Sequence, residues 1–243
     1  GESLGAWSSS DVVMHQGIEG FDVYGIDRAL WFGLPGLAKW SKTGMRQGST
    51  DLVPPGTVAA FDHFSQFEEL DAEDQDKLRA VIVDHDNDPI AQMSFRSAVK
   101  RPPWLDGDER GRNVPESMGW IPLVTFIQVL IDAMNAMRTV PGQFKSFGHD
   151  YRADTADFAH AAYQLPPITD EQRTAIEETL LRLEVERGER IKQSKEAAAK
   201  QEAAEKGTPL RARRRTWLRD RTQADMDEPA AEETPGEAPG DIQ

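Results

Sequence analysis

The sequence predicts an α/β fold in which a mostly parallel sheet is flanked by helices. Short apolar runs closed by turn residues, at 28–35 and 79–83, suit strands buried on both faces. Helical patterns lie before and after them, at 6–18, 119–138 and 155–165. Polar groups gather directly after the clearest strand, where open α/β sheets place ligand and catalytic residues. The spacing predicts a principal domain over 1–168, a charged exposed helix over 169–207, and a basic segment with an acidic disordered tail over 208–243.

Taken in order, the chain opens on Gly1-Glu2-Ser3-Leu4-Gly5, a G-x-S-x-G pattern. In a nucleophile elbow this pattern places a serine on a strained strand-to-helix turn, and the glycines let strand and helix pack closely. A helix over 6–18 follows, with Trp7, Val12, Val13 and Met14 for an inner face and Ser8, Ser9 and Ser10 lowering its propensity. Gly17 and Gly20 punctuate it. The run 28–35 is a buried strand, with a helix turn as the other reading. Residues 36–76 look irregular, and the acidic stretch 68–76 reads as a solvated face or helix. That stretch lacks the ligand spacing and turn glycine of a hard-cation loop, so no metal site is expected.

Residues 79–83 form the clearest strand and end in Asp84-His85-Asp86-Asn87-Asp88-Pro89-Ile90. Residues 91–117 look like an anchored surface loop. The pattern over 119–138 predicts a strong helix buried in the domain, with Pro122 in its first turn and Met134 and Met137 in the core. Residues 143–147 make a weak strand, followed by Gly148-His149-Asp150-Tyr151 and a last helix over 155–165. Beyond Thr169 the stripe Ile176, Leu180, Leu183 and Ile191 fades into Glu/Ala/Lys repeats typical of an exposed helix.

Composition narrows the function classes. The 243 residues carry a net charge of −14, which makes the chain a poor partner for nucleic acid. There are no cysteines, excluding disulfides, thiolate zinc and a cysteine nucleophile. No signal peptide and no run of 18 apolar residues is present. The absence of an initiator Met and of a delivering strand before the elbow predicts a C-terminal piece of a longer protein, itself inactive because half of its oxyanion hole lies upstream.

Acyl transfer by serine needs a base for the Oγ proton and a carboxylate to orient that base. Ser3 is the candidate nucleophile, with the Leu4 N–H as one oxyanion donor. Five histidines are available. His149 fits best as base, in a glycine-containing loop between the weak strand and the last helix; His85 is its rival or lines the site. His15, His63 and His160 fit less well. Asp88 lies far enough beyond its strand to fold back toward a histidine, with Asp86 as alternative and Asp84 close to the sheet. Ser3, Asp88, His149 is the chain order of α/β-hydrolases. No cofactor is expected.

The stretches GESLGAW, ALWFGLP, HDNDPI, RPPWL, GWIPLVTFIQVLIDAM and FGHDY resemble the catalytic domain of a bacterial α/β-hydrolase family whose members carry an N-terminal multi-span membrane domain. The resemblance covers roughly residues 1–165. It implies the C-terminal portion of an α/β-hydrolase domain, a serine hydrolase activity with Ser3, Asp88 and His149 at the triad positions, and membrane location of the full-length protein. The chain departs from the family pattern at Ala91-Gln92-Met93, where relatives have more aromatic residues, and at Lys145-Ser146-Phe147, where they have a further Gly-His.

The leading expectation is therefore hydrolysis or acyl transfer on a carboxylic ester, including lipid esters. The alternative is a non-catalytic scaffold that binds a ligand or membrane partner. The arginines of 211–221, around Trp217 and Leu218, suggest either a helix lying on anionic lipid or a solvated basic patch paired with the acidic tail.

Overall fold

The structure, a computed structural model, describes residues 1–207 apart from 47, 108–109, 112, 138–142 and 167. The tail beyond 207, including the basic segment, lies outside the described residues. The chain divides into two units, Gly1–Gly188 and Glu189–Gln243.

Among the described residues, the sheet contains β1 (Ala29–Phe32), β2 (Met45–Arg46), β3 (Val58–Phe61) and β4 (Ala80–Val83), all parallel, in the order β1-β4-β3-β2. Residues 1–2 extend the sheet at the outer edge of β1. The Gly1 nitrogen donates to Leu30 O at 2.9 Å, and Phe32 N donates to Gly1 O at 2.9 Å. Ser3 is thereby delivered to the carboxyl end of the sheet.

Alternation along the strands fills two cores. On one face Trp31, Val58, Ala60, Ala80 and Ile82 pack with Phe21, Met14 and Ala6. These last three come from α1 (Leu4–Val13), α2 (Gly20–Val23) and the turn between them. On the other face Leu30, Phe32, Ala59, Phe61, Val81 and Val83 pack with Phe67 of α3 (Phe64–Glu68), Phe158 of α6 (Thr155–Ala162) and Tyr151. The Phe158 ring sits 5.3 to 6.5 Å from those of Phe32, Phe61, Phe64 and Phe67. Both faces of the sheet are covered, as its apolar strands require.

Several expectations change. The first helix stops at Val13 rather than at residue 18. Gly17 takes φ 76°, and a Cβ on Gly20 would lie 1.7 Å from Val13 O, so the chain folds back against the helix end. Within α1, Ser9 and Ser10 donate to Gly5 O and Trp7 O, and Ser9 Oγ accepts from Trp31 Nε1 at 3.0 Å. Ser9, one of the serines that weaken the helix, thus ties it to β1.

Residues 36–67 are not wholly irregular, for they hold β2, the buried β3 and most of α3, while the acidic stretch carries the exposed helix α4 (Ala72–Lys77), in line with its reading as a solvated helix; its N-cap Asp71 accepts from Asp74 N at 2.8 Å. Residues 143–147 form no strand; Phe147 makes an isolated bridge to Asp150. The expected buried helix becomes α5 (Val124–Ala136), which begins beyond Pro122 and buries only the narrow stripe Thr125, Val129 and Ala133. It packs on the short turn Phe95–Ala98, away from the two covered sheet faces, so Ile131, Met134 and Met137 are 48%, 65% and 63% exposed. The two methionines are not core residues.

The long helix α7 (Asp170–Gly207) starts on a reciprocal cap. Gln172 N donates to Thr169 Oγ1, and Thr169 N donates to Gln172 Oε1. Glu184 on α7 pairs with Arg152 at 3.0 Å, and Arg173 pairs with Asp157 of α6. Among the described residues no helix is long and apolar enough to cross a membrane.

Candidate active site

Ser3 adopts φ 53°, ψ −121°, a conformation that L side chains rarely take. The turn is fixed from both sides. Ser3 N donates to Phe32 O at 2.9 Å, while Ser3 O accepts from Trp7 N in the first turn of α1. A Cβ on Gly1 would lie 2.9 Å from the Gly5 carbonyl, so strand and helix meet too closely for a side chain there. Gly5 faces open space, so close packing does not require glycine at that position. The Leu4 N–H, at the positive end of a ten-residue helix, is engaged by no hydrogen bond among the described residues.

The loop after β4 supplies the carboxylate. Asp88 is fully buried, and its Oδ1 accepts from Ile90 N at 2.8 Å. Its Oδ2 lies 2.7 Å from His149 Nδ1 and accepts from Tyr151 OH at 2.6 Å. A carboxylate in this setting accepts and does not donate, so His149 carries its proton on Nδ1 and leaves the Nε2 lone pair free. Nε2 is buried with no hydrogen-bond partner, and Ser3 makes no hydrogen bond to it. Unliganded acid–base sites are often this loose and tighten on substrate.

Gly33 brings the histidine close to the elbow. It follows β1 directly, donates its N–H to Val83 O and takes φ 57°. A Cβ at Gly33 would sit 2.6 Å from His149 Cε1 and 2.7 Å from Tyr151 Cε2. The imidazole therefore rests on the residue next to Phe32, whose carbonyl accepts from Ser3. Gly33→Ala should displace it, costing about 1–3 kcal/mol in stability and about 100-fold in any turnover that uses His149. Thermal unfolding and ester kinetics would measure the two effects.

Several groups act on the His149 imidazole. Burial pulls the His149 imidazole down, but the Asp88 hydrogen bond and charge, with Glu2 and Asp84, outweigh it and hold its pKa above the usual value. Tyr151 is pushed well above the usual phenol range by burial and by Asp88 and Asp84, so it remains a donor.

Asp84 is a different case. Its Oδ1 accepts from Leu34 N at 2.7 Å and its buried Oδ2 is unpaired. Burial raises its pKa from 3.8 to about 6, with Asp88 adding to the rise against the pull of Lys42. A carboxyl raised on folding contributes stability that is full below its unfolded pKa and lost as pH climbs through the folded value. Asp84→Asn should therefore stabilise the fold by about 1–2 kcal/mol above pH 6 and change little below pH 4; urea unfolding at the two pH values is the check.

The other candidates are engaged by partners of their own. Asp86 accepts from Asn113 N and Nδ2 and anchors that loop, while its own N–H donates to Asp62 Oδ1. His85 is buried against Asp154 and the Gly148 carbonyl, with its ring stacked on Tyr151. His63 pairs with Asp62 at 3.0 Å, His160 reaches the Pro166 carbonyl, and His15 is exposed. Tyr151, Gly33 and Asn87, which accepts from Gly148 N at 2.7 Å, are site residues that sequence reasoning missed. The only hint of Tyr151 was its place two residues after His149. Among the described residues no group of histidine, aspartate and glutamate side chains is arranged to hold a metal.

A family model described as "Alpha/beta-hydrolase family" matches residues 1–176. No curated protein and no solved structure matches the chain.

Proposed function

The chain belongs to the alpha/beta-hydrolase family, and from that membership we propose that it is a serine hydrolase acting on a carboxylic ester through Ser3, His149 and Asp88. The supporting observation is the 2.7 Å contact of His149 Nδ1 with Asp88, which leaves Nε2 buried and unpartnered, with the imidazole packed on Gly33, the residue after the Phe32 carbonyl that holds the strained Ser3 turn. Ser3 Oγ attacks the ester carbonyl carbon as Nε2 takes its proton. Asp88 holds the tautomer and stabilises the imidazolium. The Leu4 N–H and the start of α1 stabilise the oxyanion. Collapse expels the alcohol, which receives the proton from His149, and leaves Ser3 acylated. Water then attacks the acyl carbon with His149 again as base, releasing the acid and regenerating Ser3.

Lipid esters are the substrate class we set first. The segment between Asp88 and His149 carries α5 with its exposed apolar side chains, a surface suited to acyl chains or to a lipid-bearing partner. Location of the full-length protein at a membrane is part of this proposal. Short-chain and long-chain nitrophenyl esters offered to the full-length protein give the test. The expected result is a burst of alcohol followed by slower steady turnover, the mark of an acyl-enzyme. Tight ester binding without release of alcohol would favour a ligand-binding scaffold instead.

A further inference from the structure

The loop that carries His149 is held by a second histidine. His85, fully buried at the end of β4, has acceptors at both ring nitrogens. Nδ1 lies 2.8 Å from the Gly148 carbonyl oxygen, and Nε2 lies 3.2 Å from Asp154 Oδ2. The other Asp154 oxygen accepts from Ser146 Oγ at 2.7 Å. A neutral imidazole has one N–H and would face one of these acceptors with a lone pair; the cation satisfies both. A buried cation needs a paired anion, and Asp154 provides it.

We propose that His85 is a positioning residue for this site: as a buried imidazolium paired with Asp154, it clamps Gly148 and so fixes the backbone that presents His149. The residues that follow it complete the clamp. Asn87 Oδ1 takes the Gly148 N–H, and Asp88 takes Nδ1 of His149 itself. The His85 backbone N–H donates to Tyr151 OH at 3.2 Å, and the two rings stack at 4.2 Å. Tyr151 in turn bonds Asp88, so the clamp and the orienting carboxylate share one tyrosine.

The ionisable groups around His85 are Asp154 beside the start of α6, Asp62 at the end of β3, Asp84 at the end of β4, which feels the His85 charge, and the stacked Tyr151, with His149 in edge contact beyond it. Burial lowers the His85 pKa, but Asp154, the Gly148 carbonyl and Asp62 outweigh it, so the proton persists above the usual imidazole range. His85 is not a second base, because both of its nitrogens are occupied and it is closed from solvent. The role rests on the reading of His149 as general base, whereas its charge state does not.

Two measurements on the full-length protein separate these. Long-range proton–nitrogen spectra of the imidazoles, assigned with His85→Gln, should show both His85 nitrogens protonated at pH 7.5. Asp154→Asn should lower its titration by about one pH unit or more. A single-proton tautomer at pH 7.5, with the second proton on Asp154, overturns the proposal. In kinetics, kcat/KM should fall at alkaline pH as His85 deprotonates. His85→Gln should lose that limb and turn over about 10-fold more slowly near pH 7, with KM little changed. A variant that is only less stable, with the parent's pH profile, also overturns it. Absence of Ser3-dependent turnover beside a doubly protonated His85 would instead reject the hydrolase reading and leave the charge assignment standing.

Discussion

Ser3→Ala is expected to lower ester turnover by the full-length protein at least about 10⁴-fold, with folding intact. The size follows from the chemistry, because alanine removes the atom that becomes acylated and the burst should vanish with it. Intact folding follows from the geometry. Ser3 makes its structural bonds through the backbone, N–H to Phe32 O and carbonyl from Trp7 N, and its side chain caps no N–H of α1. Alanine must still take φ 53°, a strain of about 1 kcal/mol that serine already carries. Circular dichroism, together with single-turnover kinetics on an activated ester, checks both parts.

Asp88→Asn should cost nearly as much, about 10⁴-fold in kcat. Asp88 Oδ2 lies against two donors, His149 Nδ1–H and Tyr151 OH, and Oδ1 against the Ile90 N–H. An amide cannot satisfy this set. With its oxygen toward His149, its NH₂ meets the Ile90 N–H. With its NH₂ toward His149, the imidazole must shift its proton to Nε2, where it cannot accept from serine. Loss of the Asp88 charge also removes the main influence holding the imidazole pKa up. The base works when neutral, so the parent's kcat/KM should rise with pH through a value above the usual imidazole range. In the variant the residual activity should rise at lower pH, and pH–rate profiles of the two proteins give the comparison.

The legible parts of this chain were those that used strong local signals. Val81, Ile82 and Val83 are β-branched and lie in β4, and the glycine-flanked Ser3 became a strained turn ahead of a helix. β3 was hidden because Val58-Ala59-Ala60-Phe61 has alanines at its centre. Their small side chains fit beneath the aromatic clusters on both faces, a fit that propensity does not record. α5 was misjudged for the opposite reason. Its apolar residues wrap most of the helix, a pattern that reads as burial, but the sheet already had a full layer on each face and left α5 only the Phe95–Ala98 turn. Asp88 was legible as a candidate because loops after parallel strands gather at the carboxyl end of the sheet, whereas His149 was legible from its glycine-containing loop and its place in the chain order, since the strand expected before it does not form. The double-acceptor environment of His85 depends on tertiary contacts that no spacing announces, and for Tyr151 the sequence offers only its place two residues after His149.

The account stands most directly on where a serine-directed reagent attaches. Full-length protein treated with a fluorophosphonate should carry a single adduct, which peptide mass spectrometry should place on Ser3. The adduct should be absent from Ser3→Ala and should form far more slowly in a His149→Gln protein. Labelling at another residue, or undiminished labelling of Ser3→Ala, would contradict the assignment of Ser3 as nucleophile and with it the proposed mechanism.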